Sequence, residues 1–558
     1  MARAGRSGGG GVGAVAVAAL ALASAVRSAS ATGANCTAMD LVSNNVTDYI
    51  RWSSMSDRLY LENGACVTMT DIYESRLDNS GNKGPVYPID KDTLQKTDTV
   101  TGSWYLESSL YVQEGSRLVL KAGTRKGGDC DHLLLASSPT KYVELRAHGG
   151  GILMKNTHVE SWDMDAGTVD EDDEDGRSWI SAISEVITDP HETCSGTAKN
   201  QMGEARLDII DSEVNHLGYY DSESYGISYK VRGFCNDSSN PEVFDSVGVY
   251  GDILRSEIHH NYFGHYSYGH QGGNFSSNEV HHNIGYGLDP HDDSDYMIIH
   301  DNHVHNNGWH GIIASKRCDH ASIQNNHVHH NGLIDDGGRR TGNGIMLHRS
   351  SDYGSIKNNV VHDNMDSGIA LYESSSCEIS GNTIYSNKNG IRMSLGSSLN
   401  LVWDNAITIH GEDAKYAIYL YQGNDIPEVA GSTGRPHDNR FFSNTIISDS
   451  VAVKMVESDA NAIEGNVIYA KASRFDDATS VLWKDNFMQD GGHCYKLEGS
   501  TSCFDPESDI GIPDEYLNAE SSSSSSAAAA AANAEEESSL SYSFTAAAGN
   551  GFFCASAL

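Results

Sequence analysis

The sequence is poor in positive charge. Its 558 residues include 38 Lys and Arg against 76 Asp and Glu, a formal net charge of −38, and a chain without a basic footprint does not suit nucleic acid. A polyanionic substrate survives this argument. Exposed charges are screened beyond about 8 Å at physiological salt, so the local field at a site decides what binds there. Long apolar runs are also missing past the N-terminus. There, Arg3 and Arg6 precede VGAVAVAALALASAV, which is too short to span a bilayer comfortably and ends in Ala29-Ser30-Ala31, a small-residue cleavage pattern. A secretory signal over residues 1–31 is expected, with maturation near Thr32 and no membrane span afterwards. Finally, no Cys-x-x-Cys pair occurs among the ten cysteines, which argues against a zinc ribbon. All ten follow the signal and fit an oxidising compartment, where the sequons at Asn35, Asn45, Asn236 and Asn274 can carry glycans. Cys494 and Cys503 are near enough in sequence to close a small loop.

What the sequence does contain is a repeat. Asn-x-(Val/Ile) recurs at Asn278, Asn302, Asn326, Asn359, Asn382, Asn405, Asn444 and Asn466, with spacings of 24, 24, 33, 23, 23, 39 and 22. The two long intervals hold the insertions LIDDGGRRT and GNDIPEVAGSTGRPHDNRF. A second element, Gly-(Ile/Leu), recurs in step at Gly287, Gly311, Gly344, Gly368 and Gly390. Two short strand-like runs per 22 to 24 residues, separated by Asn/Gly turns, predict an all-β solenoid with the coil size of a parallel β-helix. The asparagines are then expected to bond amide to amide from coil to coil. We place the β-helix at 141–518, an N-terminal extension or cap at 32–140 and a low-complexity tail, rich in Ser and Ala, at 519–558.

Alternation along a strand turns this repeat into a map. Counting each glycine as zero, positions one and three (Leu288 and Pro290, Ile312 and Ala314, Ile345 and Leu347) point inward. Positions two and four then point outward and carry Asp289 and His291, Ile313 and Ser315, Met346 and His348, Ala370 and Tyr372. Position six adds Asp293 and, one coil later, Arg317. One coil earlier GHYSYGH contributes Tyr266, Tyr268 and His270 to these columns, and GISYK contributes Lys230. A carboxylate, an imidazole, phenols and cations on one outer sheet are the materials of a carbohydrate groove. Most of the 25 histidines lie instead in the Asn-rich turns, as do His281, His282, His303, His305, His327, His329 and His330. Their regular repetition reads as solvated turn chemistry rather than metal ligation.

YGLDPHDDS, followed by HGIIASKR and GIALYESSS, resembles the catalytic region of the alginate (mannuronan) C5-epimerases; upstream, LGYYDSESYGISY fits as well. The similarity covers roughly residues 145 to 475, and the Arg 28 residues after the Asp of Asp-Pro-His-Asp gives it specificity. The family's members are right-handed parallel β-helix enzymes of the bacterial periplasm and of brown-algal cell walls. By this resemblance His291 moves the C5 proton, Asp289 orients the site, Arg317 neutralises the sugar carboxylate and Tyr286 takes an acid/base part. The calcium-dependent secreted bacterial members carry a carboxylate where this chain has Ser315. That departure aligns the chain with the periplasmic and brown-algal branch and leaves calcium without support.

The chemistry asks for the same residue types on its own terms. A hydrogen α to a charged carboxylate is barely acidic until a cation offsets the second charge, and Arg suits a carboxylate bidentately. A His with pKa near the working pH can then take the proton. Tyr268, Tyr286, Lys230 or a water can return one on the other face. His270, Asp292, His310, Ser315, Lys316, Arg339, Arg340, His348, Arg349 and Tyr372 are the expected substrate contacts. The implied protein is a secreted, extracellular or cell-wall enzyme, expected to be monomeric, acting on an anionic polysaccharide without an organic cofactor. A polyuronate lyase and a non-catalytic wall-binding protein are the alternatives.

Overall fold

The computed structural model describes residues 49–75, 84–123, 129–186, 203–221, 224–233, 247–334, 340–488, 494–497 and 500–504. The expected signal, the sequons at Asn35, Asn45 and Asn236, the low-complexity tail and Arg339 lie outside the described residues. Within them the chain winds as a parallel β-helix with three stacks of strands. On one, Leu288, Ile312, Ile345, Ile369, Ile391, Ile418 and Val453 lie in parallel register, each directly over the last. On the second, Ile258, Val280, Val304, Val328, Val361, Ile384 and Ile407 do the same. On the third the column runs Phe275, Ile299, Ile323, Ile356, Ile379, Val402 and Phe441. Every one of these side chains is buried. Full burial of a Val, Leu, Ile or Phe contributes roughly 1.5–3 kcal/mol, so the three columns carry the fold.

Turns between the stacks are held as the repeat predicts. Asn302 donates its amide to the Phe275 carbonyl at 2.9 Å and to Asn326 Oδ1 at 2.9 Å, while its own Oδ1 accepts from Asn278 at 2.9 Å. The ladder continues through Asn359, Asn382, Asn405 and Asn444. A second ladder joins Asn283, Asn307, Asn331, Asn364 and Asn387. Burying these amides is tolerable because each has its partners. The repeated glycines follow from the same packing. A Cβ at Gly311 would sit 2.7 Å from Val328 Cγ1 and 2.8 Å from Asn331 Nδ2, inside the space the ladder fills.

Parallel stacking begins earlier than residue 141. Arg58–Leu61 pairs in parallel with Ser109–Val112, and Cys66–Val67 with Arg117–Lys121, so strands within 32–140 stack as further coils. The first insertion forms an antiparallel hairpin of Leu333–Ile334 with Arg340–Thr341. Cys66 is disulfide-bonded, whereas Cys130, Cys318 and Cys377 are buried thiols. Cys494 and Cys503 stand opposite each other in an antiparallel strand pair. Among the described residues no helix is long and apolar enough to cross a membrane.

Candidate active site

The outward register brings the proposed residues to one face. Leu288 pairs with Ile312 in the core column, and His291 bridges to Ser315 on the next coil. Asp289 and His291 therefore leave the opposite side of the sheet. Farther along the same columns, Ile313, Met346 and Ala370 form an apolar cluster separate from the core, covered by Tyr286 and Tyr372. The outer face is thus itself partly dry. Tyr286 belongs to a wall of rings, with centroids 5.0 Å from Phe263, 4.9 Å from Trp309 and 5.3 Å from His310.

At the centre, His291 Nδ1 lies 2.5 Å from Asp292 Oδ2. Burial alone would lower the imidazole pKa, but the carboxylates of Asp289 and Asp292 outweigh it and the net shift is upward. Asp292 shifts the opposite way: burial opposes ionisation, and the His291 bond, with Lys316 and Arg317, overrides it. The pair is therefore an imidazolium–carboxylate couple when His291 holds its proton. When His291 is neutral, an Nδ1–H donated to Asp292 leaves the Nε2 lone pair facing the groove.

The carboxylate in hydrogen-bond contact with His291 is Asp292. Asp289 is 1% exposed and neither of its oxygens has a hydrogen-bond partner among the described residues. Burial pushes its pKa up to about 7. The reason is local backbone. His291 ends the extended run, and Asp292 and Asp293 turn with φ of 34° and 57°, which swings Asp292 back beside the imidazole. A non-glycine residue in this region costs on the order of 1 kcal/mol. Each of these amides meets the next coil, Asp292 N on Ser315 O at 2.8 Å and Asp293 N on Lys316 O at 3.0 Å.

Arg317 stacks on Asp293 as the column predicts. Its Nε and Nη2 meet the two oxygens of Asp293 at 3.0 and 2.8 Å, and Nη2 also meets Asp292 at 3.2 Å. The fork expected to clamp a sugar carboxylate is occupied by Asp293, and only Nη1 is left to face a ligand. Lys316, half-buried on the same turn, has no ion-pair partner among the described residues and acts electrostatically on both His291 and Asp292. On the other side Lys230 is in register with Tyr268, its ammonium 5.9 Å from the Tyr266 ring centroid and 6.0 Å from that of Tyr268. Burial lowers Lys230 to about 8 and raises Tyr268 to about 12.

Other expected contacts are already engaged. Ser315 Oγ meets His348 Nδ1 at 2.9 Å, and His348, lowered to about 3 by burial and the nearby Arg349, stacks on Tyr372. Tyr372 donates its hydroxyl to Asp425, while Arg349 donates to Glu373 and to the Ile426 carbonyl, both at 2.9 Å. Tyr372 and Arg349 therefore anchor the second insertion instead of waiting for a ligand. His310 Nδ1 accepts from the Asn343 amide at 2.9 Å, and burial lowers this imidazole to about 4. His270 is a clear correction. It is fully buried inside the coil, its ring 4.4 Å from Tyr229 and its Nε2 3.0 Å from the Gly251 carbonyl. Gly269, at φ 74°, breaks the alternation and turns His270 inward. Arg340 lies in the inserted hairpin, and Arg339 is outside the described residues.

Tyr266, which had a column position but no role, belongs to the site. Its ring centroid is 5.4 Å from that of His291, and it pairs in register with Asp289. Toward the N-terminus its column continues through Ser228, Ser181 and Arg146. There a cleft of about 620 Å³ opens, lined by Arg58, Arg146 and Arg232 and equally by Asp57, Glu144 and Glu185, with Arg146 Nε 2.6 Å from Glu144. Four coil steps of about 4.8 Å put its Arg146 roughly 19 Å from Asp289. No set of three ligand side chains close enough to share a metal ion includes His291 among the described residues; the sets that exist are elsewhere on the helix.

A family model described as the right-handed β-helix region matches residues 243–407 and 340–468. No curated protein sequence matches the chain. Among solved structures the chain is similar to the periplasmic alginate epimerase AlgG, at 19% identity over 77% of this chain and 85% of that one, with a TM-score of 0.56. It is also similar to the A-module of the Azotobacter vinelandii mannuronan C-5 epimerase AlgE6, at 16% identity over 67% of this chain and 90% of that one, with a TM-score of 0.35. The second superposition is too loose to bear on the site, and the first is a likeness of fold. The stacked parallel register and the matching family model together make this chain a right-handed parallel β-helix, with His291 and Asp292 set side by side on its outer face.

Proposed function

We propose that this protein is a polysaccharide-modifying enzyme that converts β-D-mannuronate to α-L-guluronate within alginate, by removing the C5 proton and returning one to the other face. The observation that carries the reading is His291 on the outer face, its Nδ1 tied to Asp292 at 2.5 Å. That bond leaves Nε2 as the base and makes it a stronger one. Lys316 and the Nη1 of Arg317 are the cations beside this pair; set against the sugar carboxylate as C5 loses its proton, they would lower the barrier. Lys230 returns the proton: at about 8 it gives one up near neutrality, whereas Tyr268 at about 12 holds its own. The fold likeness to a periplasmic alginate epimerase supports the substrate class, and the N-terminal apolar run supports a place outside the cell, in contact with the polymer.

The test is incubation with polymannuronate in D2O, followed by proton NMR. Guluronate signals with deuterium at C5 are expected. If the polymer acquires neither, the reading is wrong. A C4–C5 double bond appearing in the absorbance without guluronate would instead mean that the same intermediate expels its C4 oxygen, the reaction of a lyase.

A further inference from the structure

The strands Glu279–His281, His303–His305 and His327–His329 form the stack next to the one that carries Asp289, and they pair in parallel with His303 opposite His327 and His305 opposite His329. Alternate residues of a strand share a face. Val304 and Val328 are buried in the core, so both imidazoles of each His-Val-His project from the surface. They do not spread into solvent as regular turn residues would. The His303 ring centroid is 5.0 Å from that of His327 and 4.9 Å from that of His329, and His327 and His329 are 4.5 Å apart. His303 Nε2 lies 2.7 Å from His329 Nε2. Two ring nitrogens at that separation need a shared proton or a shared cation between them. One nitrogen from each of His303, His327 and His329 falls within 4.8 Å of the others.

We propose that His303, His327 and His329 bind a divalent transition-metal ion of the zinc class, with a fourth position open to water. Three neutral nitrogen donors suit zinc and its neighbours and fail to suit calcium or magnesium, which require oxygen. At zinc–nitrogen distances of about 2.0–2.1 Å, tetrahedral geometry separates the nitrogens by about 3.3 Å, and the ion competes for His327 with His362, whose Nε2 lies 2.7 Å from that of His327. The second ring nitrogen of His303 lies 3.8 Å from Glu279 Oε1, and that carboxylate oxygen is 3.3 Å from His305 Nε2. At that distance the carboxylate acts on His303 through its charge and not through a hydrogen bond, and it favours a cation held by the ring. The ion would join two consecutive coils on a face that carries neither Asp289 nor His291. Its effect is therefore on stability, through preferential binding to the folded chain. This proposal is independent of the reaction assigned to the groove.

The experiment uses the full-length protein stripped with a chelator and dialysed. Zn2+ is titrated in competition with a chromophoric chelator, and Co2+ is added separately to read coordination geometry from its visible bands. The wild type is expected to hold one equivalent of Zn2+ that His327→Ala lacks or binds at least tenfold more weakly, to show tetrahedral Co2+ bands that the variant loses, and to gain Tm with Zn2+ where the variant does not. His303→Gln provides a second variant should His327→Ala fold poorly. Equal Zn2+ affinity and equal Co2+ spectra in wild type and the folded variants would overturn the proposal.

Discussion

Replacing Asp292 with Asn asks which carboxylate sets the base. Asp292 holds His291 Nδ1 at 2.5 Å and also accepts from Arg317 at 3.2 Å. An amide of the same shape can still accept the Nδ1 proton through its oxygen, but it brings no charge. Charge-assisted hydrogen bonds contribute about 1.5–3 kcal/mol against about 1 kcal/mol for neutral ones, so the change removes about 0.5–2 kcal/mol. At 1.36 kcal/mol per decade this is about 2- to 30-fold in kcat. A second readout separates orientation from general damage. His291 is held above its ordinary pKa by Asp289 and Asp292 against the pull of burial. The base works when neutral, so the rising limb of the pH profile follows its pKa, and Asp292→Asn moves that limb to lower pH. Asp289→Asn moves the limb the same way while leaving the Nδ1 contact in place, and kcat falls less. Initial rates of C5 deuterium incorporation into polymannuronate, measured across the neutral range for both variants, decide it. Wild-type kcat and an unmoved limb in Asp292→Asn, beside an inactive Asp289→Asn, would refute this reasoning and return the orienting role to Asp289.

Lys230, lowered to about 8 by burial, is expected to produce a falling limb of kcat/KM near pH 8; Lys230→Arg moves that limb to higher pH and Lys230→Met removes most activity. Asp289, raised from 3.8 to about 7 by burial, makes a pH-dependent contribution to stability that is present in full below its unfolded value and lost as pH rises through 7, up to about 4 kcal/mol. Asp289→Asn therefore flattens the dependence of the urea midpoint on pH between these limits, and an unchanged slope would contradict the buried, unpaired carboxylate. In the turn ladder, Asn326 donates to Ile299 O and Asn359 Oδ1 and accepts from the backbone and side-chain nitrogens of Asn302. Asn326→Ala leaves those groups unmet in a buried column and is expected to cost roughly 2–4 kcal/mol in urea unfolding.

The parts of the molecule legible in the sequence are those where alternation and stacking hold without interruption. Leu288, Ile312 and Ile345 announce the core column because a period of two repeats in step over several coils. The Asn ladder is legible for the same reason, and so is Arg317 over Asp293. Reading fails where the backbone leaves the strand. Gly269 turns His270 into the core, and the left-handed pair Asp292 and Asp293 returns to His291 a carboxylate that a count of alternating positions, with Asp292 at position five, points inward. Coils before residue 141 escape notice because they lack the Asn-x-Val turn, although Arg58–Leu61 already stacks in parallel. Arg349 and Tyr372 look available from their columns, and only the course of the second insertion, carrying Asp425 and Ile426 over them, shows that they are engaged. The convergence of His303, His327 and His329 likewise depends on two neighbouring strands at once, which a motif within one strand does not display.

For a chain of net charge −38 the proposed polyanionic substrate needs a local explanation, and the groove supplies one through Asp289. Its carboxyl is buried and unpaired, with a pKa of about 7, so below that pH it carries no charge beside His291. The anionic groups left, Asp292 and Asp293, are matched by the His291 bond and by the fork of Arg317. Lys316, without an ion-pair partner among the described residues, then remains as surplus positive charge beside His291, with the Lys230 ammonium across the groove. As pH rises through 7, Asp289 ionises and cancels part of that surplus, and near 8 Lys230 loses its proton as well. Affinity for the polymer should therefore weaken on the alkaline side in two steps, while the base His291 gains on the same side as it deprotonates. The working pH of the proposed reaction is set by the opposition of these two trends, and the buried carboxylate of Asp289 contributes to both, weakening the attraction for the polymer once ionised and raising the pKa of His291.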